Sequence, residues 1–115
     1  MQIQLLKSKL HKARVTSASL DYEGSLTIDQ TLMDAIDLKP YEKILCSNVS
    51  NGERFETYAI AGPAGSGIIQ LNGATARLGQ PGDLLIIMSF AIVDIEKAKD
   101  WKPRVVILNG ENKIK

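Results

Sequence analysis

The sequence has 115 residues, the usual size of one domain, and 44% of them are hydrophobic, enough to build a core. Its 14 basic and 13 acidic residues leave a formal net charge of +1. A nearly neutral chain has no strong field with which to hold a nucleic-acid backbone or an anionic membrane. We therefore expect one domain over residues 1–115, with neither nucleic acid nor membrane as a partner.

Cys46 is the only cysteine and His11 the only histidine. This excludes an intrachain disulfide framework, and no ligand spacing points to a metal site, so we expect no metal. Residues 1–12 contain no apolar run of signal-peptide length. The most apolar run, residues 84–93, is about half as long as a membrane-spanning helix. These features predict a cytoplasmic protein.

In chain order, most of the sequence alternates apolar and polar residues over short runs, which is typical of half-buried β-strands. A short helix is predicted behind Asp29 in "DQTLMDAIDL", because Leu32, Met33 and Ile36 have helical spacing and Asp29 is a good N-cap. Residues 95–101 suggest another helical turn, and the polar end "NGENKIK" is expected to fray. This pattern predicts a small β-barrel. The candidate strands are residues 3–15, 43–49, 54–61, 68–71, 83–94 and 104–108.

Two Asn-Gly pairs, Asn51-Gly52 and Asn72-Gly73, supply residues that tolerate positive φ, as tight turns require. The first is predicted to close a hairpin. The glycine-rich stretch "GPAGSGI" lacks the Lys-Ser/Thr pair of a phosphate-binding loop and does not lead into a helix. We interpret it as a flexible connection.

Conventional catalytic groups are scarce. Ser25, His11 and an aspartate make a triad on paper, but the residues around Ser25 do not form a nucleophile elbow. Because Gly24 has no side chain, the Ser25 hydroxyl is free to approach the Gly24 carbonyl. The pair "GS" therefore suggests a serine that attacks its own chain.

Five segments in order, "KLHKARVT", "YEGSLTID", "NVSNGERFETYAI", "GSGIIQLNGATARL" and "QPGDLLIIMSF", closely resemble the pyruvoyl-dependent aspartate 1-decarboxylases. The resemblance implies self-cleavage between Gly24 and Ser25 into residues 1–24 (the β chain) and 25–115 (the α chain). Ser25 then becomes a covalent pyruvoyl group that forms a Schiff base with L-aspartate. The implied products are CO2 and β-alanine, for pantothenate biosynthesis.

The resemblance also implies roles for individual residues. Thr57 would stabilise the oxyanion during cleavage. Because alternation turns it away from Arg54 and Tyr58, we expect a twist or bulge there, or that the two groups approach the site differently. Tyr58 would be the proton donor. The implied substrate-binding residues are Lys9, His11, Tyr22, Arg54, Thr57, Asn72, Gly73 and Ala74.

The family fold implied by the resemblance is a six-stranded double-psi β-barrel with one or two short helices. The implied assembly is a homotetramer with active sites at subunit boundaries, with a maturation factor as a further candidate partner. Ser47 departs from the tryptophan that the family often has at this place. Two alternatives stay open: a non-catalytic β-barrel binding module, and a homologue that folds but is never processed.

Overall fold

The computed structural model describes all residues 1–115 and contains eight β-strands, one α-helix and two short 3-10 helices. The helix α1 spans Gln30–Ala35, and the 3-10 helices span Gly73–Arg77 and Ile95–Asp100. About 50% of the residues lie in strands, so the predicted mainly β fold is confirmed. The strands are β1 (Gln2–Arg14), β2 (Ser17–Ser19), β3 (Ser25–Asp29), β4 (Lys43–Asn48), β5 (Arg54–Gly62), β6 (Ile69–Asn72), β7 (Leu84–Asp94) and β8 (Arg104–Ile107).

The strands form one sheet in the order β2-β6-β3-β5-β4-β7-β1-β8. The sheet is barrel-like but not closed, and β2 and β8 are its edges. All six strands predicted from the alternating pattern are present. Two additional strands, β2 and β3, were not predicted. The three residues of β2 are too few to show alternation, whereas Ser-Leu-Thr-Ile-Asp in β3 does alternate, so its omission does not have this cause.

A single apolar core lies on one face of the sheet and beneath α1. Leu26 and Ile28 of β3 are fully buried in it, as are Leu10 of β1 and Ile87 of β7. Helix α1 adds Leu32 and Met33. Burial of such side chains stabilises the fold by about 1.5–3 kcal/mol each.

Asp29 ends β3 and caps α1, as predicted, because its carboxylate accepts a hydrogen bond of 2.8 Å from the backbone N–H of Thr31. The same carboxylate accepts bonds of 2.9 and 2.8 Å from the N–H groups of Gly65 and Gly67. The glycine-rich stretch is therefore anchored to the end of β3 and is not a flexible connection.

The expectation that the C-terminal residues fray is wrong. Asn112 is buried, and its amide donates to the carbonyls of Arg14 and Gly67 at 2.8 Å each. Leu108 and Ile114 also form a β-bridge. Side-chain hydrogen bonds thus hold a polar segment that composition alone marks as loose.

The first Asn-Gly pair behaves as predicted. Gly52 has a φ of +79° in the turn that joins the antiparallel strands β4 and β5. The second pair differs, since Asn72 is extended and Gly73, at φ +65°, begins the first 3-10 helix. This turn sends the chain away from β6 directly beside the start of β3.

Candidate active site

Ser25 is the first residue of β3 and is only 1% exposed, whereas Gly24 before it is exposed. The Ser25 hydroxyl points back along the chain, with its oxygen 3.4 Å from the Glu23 carbonyl oxygen. This is a weak contact for an O–H donor. The hydroxyl thus lies near the carbonyl of the preceding peptide, Glu23–Gly24, and does not donate to a strong acceptor.

Asn72 pairs with Ser25 across the antiparallel strands β3 and β6. Its side-chain nitrogen Nδ2 donates to Ser25 Oγ at 3.0 Å and to Thr27 Oγ1 at 2.8 Å. Its oxygen Oδ1 accepts from Nε2 of Gln70 at 2.7 Å. All three bonds agree on one amide orientation, so Asn72 presents its donor to the serine.

Gly73 packs against the segment that leads into the serine. A Cβ atom there would lie 2.6 Å from the Tyr22 carbonyl oxygen and 2.9 Å from Gly24 Cα and N. Only glycine therefore permits this approach. The Tyr22 ring is largely exposed, so it is the Tyr22 backbone that contacts Gly73 here.

Thr75, in the first 3-10 helix, joins the site through its hydroxyl, which donates to the Asn72 carbonyl at 2.8 Å and approaches the Ser25 carbonyl at 3.3 Å. Sequence reasoning did not select Thr75, although it lies three residues after Asn72. Ala74, which was selected, is exposed and contributes no side-chain donor.

Tyr58 lies on the strand next to the serine. In the parallel pair β3–β5, Leu26 is in register with Ala59, and both side chains are fully buried. Ser25 and Tyr58 directly precede Leu26 and Ala59. Because side chains alternate along strands, both point to the opposite face of the sheet. The structure thus brings Tyr58 and Ser25 onto one face of neighbouring strands.

Thr57 and Arg54 do not join this group within one chain. Thr57 is in register with the buried Ile44, so it turns toward the core face, away from Ser25. The β4–β5 register is unbroken from Tyr58 to Arg54, so the expected bulge is absent. The exposed Arg54 lies four residues before Tyr58, roughly 13 Å along the strand.

Lys9 and His11 share one face of β1, as predicted, because the fully buried Leu10 between them turns to the core. In the sheet, however, β7, β4 and β5 separate β1 from β3. His11 Nδ1 is buried without a hydrogen-bond partner. Burial lowers the pKa of His11, and the positive charges of Lys9 and Lys12 lower it further.

A family model described as aspartate decarboxylase matches residues 1–115. The chain belongs to the aspartate decarboxylase family. Relatives named aspartate 1-decarboxylase include one from Syntrophobacter fumaroxidans, 59% identical over 98% of this chain and 91% of the relative. Another, from Syntrophus aciditrophicus, is 58% identical over 100% of this chain and 99% of the relative. A third, from Prosthecochloris aestuarii, is 58% identical over 97% and 87%.

In this member of the aspartate decarboxylase family, the single cysteine is not available as a nucleophile. Cys46 is fully buried in the core, and burial raises the pKa of its thiol to about 12. A thiol in this state is a poor nucleophile.

No group of three or more His, Cys, Asp or Glu side chains is placed to hold a metal ion. None of the helices is long and apolar enough to cross a membrane.

Proposed function

We propose that this chain is an aspartate 1-decarboxylase that releases CO2 from L-aspartate and forms β-alanine, the precursor used in pantothenate biosynthesis. The names of its relatives support the reaction, at identities of 53–59% over nearly the whole chain. The observation that carries the proposal is the buried Ser25 hydroxyl, held by the Asn72 amide next to an exposed glycine peptide. A cytoplasmic location is part of the proposal.

The first proposed step is self-cleavage of the Gly24–Ser25 peptide bond. Ser25 Oγ bonds to the Gly24 carbonyl carbon, the C–N bond breaks, and the hydroxyl proton passes to the freed nitrogen, leaving an ester. Loss of the Ser25 α-proton then expels the Gly24 carboxylate, and water replaces the nitrogen as ammonia. The chain is thereby divided into residues 1–24 and 25–115, and a pyruvoyl group remains at position 25.

The residues around position 25 fit a pyruvoyl group. Its oxygens are hydrogen-bond acceptors, and the Ser25 carbonyl oxygen, which the group would keep, has Thr75 Oγ1 3.3 Å away. Asn72 Nδ2, which is 3.0 Å from the hydroxyl oxygen that leaves with Gly24, is a second donor beside position 25. When present, the group supplies a ketone that condenses with the substrate amine and accepts the electron pair left by the departing CO2. Asn72, Thr75 and the close backbone of Gly73 would hold it in place.

Tyr58 is the proposed general acid. Its side chain shares the face of Ser25, and a phenol O–H is able to donate a proton to the substrate carbon that has lost its carboxylate. Thr57 remains the proposed oxyanion donor during cleavage. In the intact chain it faces the core, so this role requires a local change at β5.

Arg54, Lys9 and His11 are the proposed ligands of the substrate carboxylates, because a guanidinium grips a carboxylate with two parallel hydrogen bonds and the other groups add positive charge or donors. In one chain, β5, β4 and β7 separate β1 from β3, and Arg54 lies roughly 13 Å along β5 from Tyr58. This placement supports a site completed by a neighbouring subunit of a homotetramer. Tyr22 and Ala74 would line the entrance, and a maturation factor is a proposed aid to cleavage.

Intact-mass measurement and an assay for β-alanine test the proposal together. We expect one fragment ending at Gly24, another beginning with a blocked residue 25, and activity that a carbonyl-trapping hydrazine abolishes. Ser25→Ala is expected to stay whole and inactive. Full activity in an unbroken chain would refute the proposal. A whole and inactive wild-type chain, even with cell extract added, would favour the non-catalytic binding module.

A further inference from the structure

We propose that Tyr41 is a positioning residue that holds the Tyr58 ring in the orientation needed for proton transfer. This inference rests on the proton-donor role proposed above for Tyr58. The two rings form a pair with centroids 6.2 Å apart and planes tilted by 32°. Tyr41 lies between α1 and β4 and contacts Tyr58 from outside the β3–β5 pair.

The backbone of Tyr41 has an unusual conformation that points the ring this way. Its φ is +72°, in the left-handed region that bulky side chains rarely adopt. Two hydrogen bonds impose it: Tyr41 N–H donates to the Ala59 carbonyl at 2.7 Å, and Ala59 N–H donates to the Glu42 carbonyl at 3.0 Å. Tyr41 is therefore tied to the residue that directly follows Tyr58.

Neither packing within one chain nor turn geometry explains an aromatic residue here. Tyr41 is 77% exposed, so its ring adds little to the core. Glycine or asparagine would form a left-handed turn with less strain. The contact with Tyr58 is the feature that the aromatic ring supplies and these smaller residues would not.

The expected consequence is confined to the decarboxylation step. An aromatic pair shifts an equilibrium by roughly 2- to 13-fold, so loss of the ring lowers the fraction of time that the Tyr58 phenol is correctly oriented. Because Tyr58 acts after the substrate has bound, kcat falls while KM stays the same. Self-cleavage does not use Tyr58 in the proposed mechanism and proceeds normally.

The test compares Tyr41→Gly, Tyr41→Asn and Tyr41→Phe with Tyr58→Phe and with the double variant Tyr41→Gly/Tyr58→Phe. Gly and Asn relieve the left-handed strain, so we expect an unchanged or higher Tm, complete self-cleavage and a kcat lower by about fivefold. Tyr41→Phe keeps the ring and should keep the wild-type kcat. In the Tyr58→Phe background, Tyr41→Gly should cause no further loss.

Each outcome decides between the alternatives. A wild-type kcat in Tyr41→Gly and Tyr41→Asn, with a slow Tyr58→Phe, overturns the positioning role and leaves the proposed function intact. A further loss of kcat in the double variant also overturns it, because Tyr41 would then act independently of Tyr58. A wild-type kcat in Tyr58→Phe removes the proton-donor role and, with it, this inference.

Discussion

The side-chain amide of Asn72 donates a hydrogen bond of 3.0 Å to the hydroxyl of Ser25, a residue 47 positions away in the chain. Both residues are almost completely buried, so water competes little for the bond. Since Asn72 is the donor, the serine's own proton is not used in this bond, and in the proposed cleavage it would pass to the leaving nitrogen. The contact depends on the register between β3 and β6, which places the two residues opposite each other.

Asn72→Ala is expected to slow self-cleavage by about 10- to 100-fold, because the variant leaves the buried Ser25 and Thr27 hydroxyls without their donor. Mass spectrometry of freshly purified protein over time gives the rate. Asn51→Ala is the matched control. Asn51 lies in the β4–β5 turn, and its side-chain amide donates to the Leu78 carbonyl and not to Ser25. Equal cleavage rates in the two variants would contradict the role of Asn72.

Gly73→Ala is expected to block cleavage or slow it by more than about tenfold and to lower stability by about 1–3 kcal/mol. The added methyl group would collide with the backbone of Tyr22 and Gly24. Gly52→Ala provides the control, because Gly52 has a similar φ of +79° but open space around it. That variant should lose stability and still cleave at the normal rate. Cleavage assays and thermal melts of both variants separate strain from contact with the site.

Arg54→Ala is expected to abolish aspartate turnover, by about 100-fold or more, while self-cleavage continues, because Arg54 is proposed to bind substrate and not to act on the peptide. Lys97→Ala, which removes an exposed positive charge in the second 3-10 helix, is the control and should remain active. Wild-type turnover in Arg54→Ala would remove this residue from the binding role.

Mixed assemblies of the proposed tetramer test whether the site spans two subunits. Co-expression of Ser25→Ala with Arg54→Ala should restore part of the activity that each lacks alone, because one subunit then supplies the processed residue 25 and its neighbour supplies Arg54. Activity per mixed tetramer, measured after separating affinity-tagged species, is the readout. Persistent inactivity would place Ser25 and Arg54 in the same subunit's site.

Asp29 is expected to make stability dependent on pH in the acid range. Burial by itself would raise the pKa of Asp29, but hydrogen bonds from the N–H groups of Gly67, Gly65 and Thr31 lower it overall. A lowered pKa contributes stability above the unfolded-state value of about 3.9, and this is lost as the pH falls through the folded-state value. Asp29→Asn should therefore reduce stability at pH 7 and flatten its decline below about pH 4.

Urea unfolding at several pH values measures this effect. Asp37→Asn is the control, because the carboxylate of Asp37 also has a lowered pKa, through its hydrogen bond to Lys39, but is exposed to solvent. Its effect should be small and should fade with added salt. If the free energy of unfolding of Asp29→Asn fell with decreasing pH as steeply as that of the wild type, the proposed anchoring by the Asp29 carboxylate would be contradicted.

The local features of the fold were predictable from the sequence because they depend on neighbouring residues. Alternation identified six strands, and helical spacing behind Asp29 identified α1 with its cap. The Gly24–Ser25 pair, within its five linked segments, pointed to the family that the comparisons then showed. Strand β2 was missed because three residues are too few to show a period, whereas the alternating run Ser25–Asp29 of β3 could have been predicted.

The arrangement of the site was decided by strand pairing, which joins residues that are far apart in the chain. No local pattern could show that Thr75 reaches the Ser25 carbonyl, or that Tyr58 shares the serine's face while Thr57 turns away. Asp29 and Asn112 anchor the glycine-rich stretch in the same way, through contacts spanning 36 to 45 residues. The sequence by itself determined the local elements and the reactive pair, whereas only the tertiary structure decided which side chains surround Ser25, because strand register is set by packing of the whole sheet.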